Sequence, residues 1–246
     1  MHEDPEWHTN PEDIDIDRLL SFIGYGSLTA PLWFLGMEES LGPRPGNPGW
    51  TVEWELEIRS QWDPIMDVRE AHVQLQDAYW ERRSYSQVWR FMAKLARGLL
   101  HRAPDWRDTN LAHAYVIDHL GRARGETLLG EAMPLPAASV GHWPYAALFP
   151  ERAEYWAELW PMRRDLWRRL IRAFRPRFLI AYGKRYWPYH QELLDGIEWQ
   201  DLASGQIRCA IMPHGGRAYL LPFMGQGALK GSALAVIIED AGHNIA

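Results

Sequence analysis

Glu38 and Glu39 follow an apolar run, Leu32 to Leu35, that stops at Gly36, and Glu131 follows a second apolar stretch broken by Gly130. Carboxylates at such ends can stabilise positive charge as it develops on a substrate, or orient and deprotonate a water molecule. Lys184 and Arg185 stand directly after a third apolar run closed by Gly183, and Gly225, Gln226, Gly227, Lys230 and Ser232 follow a fourth, Ala218 to Phe223. If the four runs are parallel strands, these acids, cations and glycine-rich backbone meet in one place, because open α/β sheets bind ligands beyond the carboxyl ends of their strands. Strand, glycine turn and acidic helix start is also ordinary structural punctuation, so the pattern alone leaves both readings open.

The elements that must carry these side chains alternate. Pro31 to Leu35, a short strand within Glu126 to Pro136 that runs into a proline-stiffened loop, Arg177 to Gly183 and Ala218 to Phe223 read as strands, the first as one buried on both faces. Helices are expected over Asp17 to Tyr25, most of Thr51 to Leu100 with a break near Asp63-Pro64, and Thr109 to Leu120 behind an Asp108 or Thr109 cap. Further helices are expected over Pro150 to Phe174, after Lys184 to Trp187, and from Ala233 to about Ala241. The expected fold is α/β, a three-layer α/β/α sandwich around a central, mainly parallel four-stranded sheet. Residues 1–29 read as an acidic, proline-containing arm with a short helix, and residues 30–246 as a single domain.

Between Leu41 and Trp50, prolines and glycines forbid regular structure and make a stiff loop beside the first strand end. Trp50 at its exit is either a stacking platform or a loop anchor. A second loop, after Glu131, carries His142, Trp143 and Tyr145. The apolar face from Tyr85 through Val88, Trp89, Met92, Leu95 and Leu99 is expected to be core. Arg163, Arg164, Arg168, Arg169 and Arg172 read first as a solvated helix face and second as a phosphate-binding stripe. His214, beside Gly215 and Gly216, reads as a turn histidine or a phosphate contact.

The chain of 246 residues carries a net charge of −6, which argues against indiscriminate binding to nucleic acid but leaves room for a local basic surface. Fourteen tryptophans exceed what core filling usually requires, so some should line a cleft. Cys209 is the one cysteine, which excludes an intrachain disulfide, a cysteine metal cluster and an iron–sulfur cluster; no metal or cofactor is expected. A polar start and the lack of a long apolar run point to a cytoplasmic protein without a membrane segment. Walker, dinucleotide-binding, Gly-x-Ser-x-Gly and His-Glu-x-x-His motifs are all missing.

Four pieces in order, Trp33-Phe34-Leu35-Gly36-Met37-Glu38, Leu129-Gly130-Glu131-Ala132-Met133-Pro134, Phe178-Leu179-Ile180-Ala181-Tyr182-Gly183-Lys184 and Leu221-Pro222-Phe223-Met224-Gly225-Gln226-Gly227, resemble the uracil-DNA glycosylase superfamily. The resemblance spans about residues 30 to 240. It implies that Glu38, with Glu39 as second choice, positions or activates the water that attacks the sugar carbon. It also implies a flipped base bound among Gly36, Met37, Glu131, Trp50, His142 and Trp143. Lys184, Arg185, His214, Gly225, Gln226, Gly227, Lys230 and Ser232 would then hold double-stranded DNA, with the protein acting as a monomer.

Two departures shape that expectation. Glu131 stands where the family commonly has an asparagine, and a carboxylate acceptor suits the exocyclic amino group of cytosine better than the carbonyl of uracil. The last piece lacks the family's histidine, so help for the leaving base must come from elsewhere. The expected activity is therefore excision of a modified or damaged base, with a bulky modified cytosine of phage DNA, hydroxymethylated or glucosylated, as the preferred substrate. A hydrolase of free nucleosides or nucleotides and a non-catalytic nucleic-acid or nucleotide sensor are the alternatives.

Overall fold

A computed structural model describes residues 14–42, 47–77, 86–139, 141–225 and 227–243. In chain order the elements are α1 (Ile16–Ser21), β1 (Gly24–Gly26), β2 (Leu32–Gly36), α2 (Val52–Arg59), β3 (Ile65–Met66), α3 (Val68–Gln74), α4 (Gln87–Leu100), α5 (Thr109–Asp118) and β4 (Thr127–Glu131). They continue with α6 (Arg152–Phe174), β5 (Phe178–Tyr182), a 3-10 turn (Lys184–Tyr186), α7 (Trp187–Leu193), β6 (Gln200–Leu202), β7 (Ile207–Ile211), β8 (Arg217–Leu221) and α8 (Gly231–His243). Asp15, Thr51, Asp67, Ser86 and Asp108 cap the helices that follow them by accepting hydrogen bonds from first-turn amides.

The fold is α/β, but its sheet is larger than expected: eight strands in the order β3-β1-β4-β2-β5-β8-β7-β6. The four strands read from the sequence form its centre, where β2 pairs in parallel with β4 and β5, and β5 pairs in parallel with β8. The additional strands make the sheet mixed, because β1 runs antiparallel to β4, β7 to β8, and β6 to β7. Three of them hold only two or three residues, too short to show a period. One lies in the segment expected to be an arm with a helix reaching Tyr25; that helix ends at Ser21 and Tyr25 is in β1. Gly24 and Gly26 explain the change. Both have positive φ, and a Cβ on either would lie 2.0 and 2.1 Å from the carbonyl oxygens of Leu129 and Thr127.

Alternation along the central strands serves two cores. Leu32, Phe34, Phe178, Ile180, Tyr219 and Leu221 pack with buried residues of α3, α4, α5 and α8. Trp33, Leu35, Leu179, Ala181, Ala218 and Leu220 pack on the other face with residues of α1, α2, α6 and α7. Helices thus cover both faces, which is why the central strands are apolar throughout. No described helix is long and apolar enough to cross a membrane.

Candidate active site

Register brings the ends of the central strands together. Gly36 lies opposite Glu131, Leu35 opposite Ala181, and Tyr182 opposite Leu221, so Gly36, Glu131, Tyr182 and Leu221 share the carboxyl edge. Pairing continues past β2 and β4, where Ala132 N–H donates to Gly36 O (3.0 Å), Met133 N–H to Met37 O (2.7 Å) and Ala137 N–H to Glu39 O (2.8 Å). Gly183 N–H donates to Leu221 O at 2.9 Å on the other side.

The two adjacent acids turn to different partners. Glu39 Oε2 accepts from the Tyr25 hydroxyl (2.7 Å) and from Arg59 Nη1 (2.8 Å). Arg59 in turn gives Nε and Nη2 to Glu55 Oε1 at 2.9 and 2.7 Å, while Trp50 Nε1 donates to Glu55 Oε2 at 2.7 Å. Burial pulls the Arg59 guanidinium down, yet Glu39, Tyr25 and Glu55 outweigh it and hold Arg59 well above the ordinary arginine range. Glu39 and Trp50 are thereby tied into a structural network, with Trp50 as a loop anchor.

Glu38 Oε1 accepts from Trp156 Nε1 at 2.8 Å, and Oε2 faces Arg152 Nη2 at 3.2 Å. Its side chain is only 8% exposed. Burial raises its carboxyl above the usual range against the opposing pull of Arg152 and the Trp156 hydrogen bond. A carboxylate made more basic by desolvation, yet held in one orientation, is suited to taking a proton from water.

Glu131, at the last position of β4, is 8% exposed, and its Oε2 is buried with no hydrogen-bond partner. That oxygen and the Tyr182 hydroxyl occupy the space above Gly36, where an added Cβ would lie 2.5 and 2.6 Å from them. Its main chain is clamped by Arg163, which donates Nη2 to Glu131 O (2.8 Å) and Nε to Ala132 O (2.9 Å) and reaches Leu20 O with Nη1 (3.4 Å). Burial lowers Arg163 to about 10. Burial first, and Glu131 and Glu39 next, hold the Tyr182 phenol well above its ordinary value.

The remaining expected residues divide. Met37 is buried in the core on the α6 face. Trp143 gives its ring N–H to Phe149 O at 2.8 Å and stacks near Tyr145 and Tyr155, which makes it a loop anchor. His142, half-buried, has an unpartnered buried Nδ1 and accepts from Arg152 through its carbonyl at 3.3 Å. Lys184 and Arg185 are exposed just past β5, and Lys230 and Ser232 are exposed before and within the start of α8. Gly225 packs under the Phe223 ring, where a Cβ would lie 2.6 Å from it, whereas Gly227 at φ +72° meets nothing within 4 Å. Gln226 lies outside the described residues. His214 does not join the set: it sits in the turn before β8 and contacts Pro176 O through Nε2 at 2.9 Å, at the amino ends of β5 and β8.

Arg59, Arg152, Trp156, Arg163 and Tyr182 were not among the expected site residues. Arg163 was readable, since it shares a helical stripe with the buried Tyr155, Leu159, Trp160, Trp167 and Ile171; a solvated face describes its neighbours Arg164 and Arg168, which meet Asp165, Glu192 and Asp195. A separate cavity of about 320 Å³, lined by Arg97, His101, Tyr115, His119 and Glu126 among others, lies before β4 and away from the carboxyl edge. Within it Glu126 Oε1 meets both Tyr115 (2.6 Å) and His101 (2.5 Å), while Arg97 Nε is buried without a partner. No group of histidine, cysteine or acidic residues suited to a metal ion occurs among the described residues. No protein-family model, curated protein or solved structure matches the chain.

Proposed function

We propose that this protein is a DNA glycosylase of uracil-DNA glycosylase-like fold that hydrolyses the N-glycosidic bond of a base flipped out of double-stranded DNA. The observation that carries the reading is the buried Glu131 carboxyl, its Oε2 without a partner, at the end of a central parallel strand, above Gly36 and beside Glu38. A base edge brought against Glu131 supplies the partner that its Oε2 lacks, because buried polar groups are hydrogen-bonded in almost every folded protein. Phe223, 42% exposed with its ring 6.4 Å from that of Tyr182, offers the base a stacking face.

In the reaction, water attacks the sugar carbon, a C–O bond forms, and the C–N bond breaks with its electron pair leaving on the base. Glu38 takes the proton from water, and its charge opposes the positive charge that builds on the sugar. Lys184, Arg185, Lys230 and the open backbone at Gly227 hold flanking phosphates. A bulky modified cytosine is the preferred substrate, which gives the protein a role inside the cell against DNA that carries such bases. The engagement of both Glu38 oxygens, by Trp156 and Arg152, favours a second reading, a sensor that binds the base without excising it.

The test incubates the protein with duplexes carrying uracil, hypoxanthine, cytosine, hydroxymethylcytosine or glucosylated hydroxymethylcytosine, then cleaves abasic sites. Release of one base, abolished by Glu38→Gln, supports the enzyme. Tight binding without any abasic site, unchanged by Glu38→Gln, supports the sensor. Equal hydrolysis of the free nucleoside would instead favour a nucleoside hydrolase.

A further inference from the structure

The groups facing the Glu131 carboxyl come from five elements: Glu38 and Glu39 from the segment after β2, Tyr182 from β5, Tyr25 from β1 through Glu39, Arg59 from α2 and Arg163 from α6. Both cations are committed elsewhere. Arg59 gives Nε and Nη2 to Glu55 and Nη1 to Glu39, and Arg163 gives its N–H groups to main-chain carbonyls, including that of Glu131 itself. Glu38 and Glu39 already bring two negative charges to the same strand ends. A third buried carboxyl there, with one oxygen bonded to nothing, meets two like charges and only the pull of two guanidiniums committed elsewhere, a setting that favours the protonated form.

We propose that Glu131 works as a neutral carboxylic acid at the base edge, donating one hydrogen bond through its O–H and accepting one through its carbonyl oxygen. The inference rests on the glycosylase reading and specifies its base contact. Burial, then repulsion from Glu39 and Glu38, holds this carboxyl well above the usual carboxylate range, and the opposing pull of Arg59 and Arg163 does not prevail.

The acceptor-only contact expected from the sequence changes accordingly. A neutral carboxyl presents the same donor and acceptor pair as a side-chain amide. Against cytosine it donates to N3 and accepts from the exocyclic amino group, making two bonds where a carboxylate makes one. It fits the N3–H and carbonyl edge of uracil equally well by reversing the two roles. Discrimination between these bases therefore falls to the space around the modifying group, and Glu131 fixes the orientation of either. The O–H also opposes the negative charge that gathers on the base as it leaves, the assistance that the missing histidine would otherwise give.

Two measurements on the full chain test this. The first follows the carboxyl carbon of Glu131 by NMR through a pH titration, with side-chain ¹³C-labelled glutamate and Glu131→Gln to assign the signal. The second records the single-turnover excision rate against pH for the wild type and Glu131→Gln, on the duplex from which the wild type releases a base. The expected result is a neutral carboxyl at pH 7, with a wild-type rate that falls about tenfold per pH unit above its ionisation. Glu131→Gln, which keeps a donor and an acceptor but cannot ionise, should lose the alkaline fall. An ionised Glu131 at pH 7, or the same alkaline fall in Glu131→Gln, overturns the proposal while leaving the glycosylase intact. Absence of a released base from every duplex overturns the glycosylase reading and the base contact with it, and the NMR titration separates that failure from an ionised Glu131.

Discussion

Removing the Arg59 guanidinium should cost more stability than almost any other single polar change in the molecule. Arg59 is 3% exposed at its side chain and Glu55 is fully buried, and two of the three Arg59 hydrogen bonds end on one Glu55 oxygen. Arg59→Met keeps the volume and the packing against Trp62, whose ring lies 4.7 Å from the guanidinium carbon, while leaving Glu55 charged with Trp50 as a remaining donor. Breaking a buried pair from one side costs about 3–5 kcal/mol, because the abandoned charge stays buried. For a chain of this size that is a fall in Tm of about 6–20 °C. Urea unfolding followed by tryptophan fluorescence, with calorimetry alongside, gives the number. Glu55→Gln made together with Arg59→Met removes the more deeply buried of the two carboxylates that Arg59 leaves behind, Glu39 being the other, and keeps an acceptor for Trp50. The double variant should regain at least about 1 kcal/mol of the loss, within the usual coupling of residues in contact. A loss below about 1 kcal/mol for Arg59→Met, the worth of an exposed pair, refutes the argument that these charges are desolvated.

His190 is buried with neither ring nitrogen partnered, and burial lowers it to about 3. The unfolded chain binds a proton near pH 6.5 that the native state refuses, so stability is lost as pH falls through that window, by about 2 kcal/mol at pH 5. His190→Leu should flatten this dependence relative to the wild type in paired denaturation curves at pH 7 and 5, and an unchanged slope would show that His190 is solvated in the native state. Gly36→Ala would bring a methyl group 2.5 Å from Glu131 Oε2 and 2.6 Å from the Tyr182 hydroxyl. It should cost about 1–3 kcal/mol of stability, and about 100-fold in single-turnover excision through displacement of Glu131; a folded variant of undiminished rate would remove Glu131 from the base contact.

The centre of the sheet was legible because strands buried on both faces are written as continuous apolar runs, and several of the four end in glycine or proline. Its edges were not. β1 and β3 owe their existence to close approach and pairing, with Ile23 O taking the Glu131 N–H at 2.9 Å and Pro64 O taking that of Ile23 at 2.7 Å, and no local periodicity announces either. Which of Glu38 and Glu39 faces the site was equally hidden, since both lie past the end of β2, where strand alternation no longer applies. Their roles are set by Arg59 and Tyr25 on one side and by Arg152 and Trp156 on the other. The Glu55 to Arg59 spacing was a visible helical ion pair, but its connection to Glu39 depends on where α2 docks. The state of Glu131 is a property of three carboxyls brought together by strand register, and no one segment contains it.

Helix α6 touches both ends of this arrangement. Trp156 and Arg152 hold Glu38, and Arg163, about two turns further on, is bolted to the carbonyls of Glu131 and Ala132. The helix therefore serves as a ruler laid across two strand ends, with marks about 10 Å apart at the α-helical rise. Pro161 lies between the marks and supplies no N–H to the preceding turn. Inserting or deleting one residue between Trp156 and Arg163 would rotate one mark by about 100° relative to the other. The interval from Trp156 to Arg163 should accordingly admit substitutions on its outer face but no change of length.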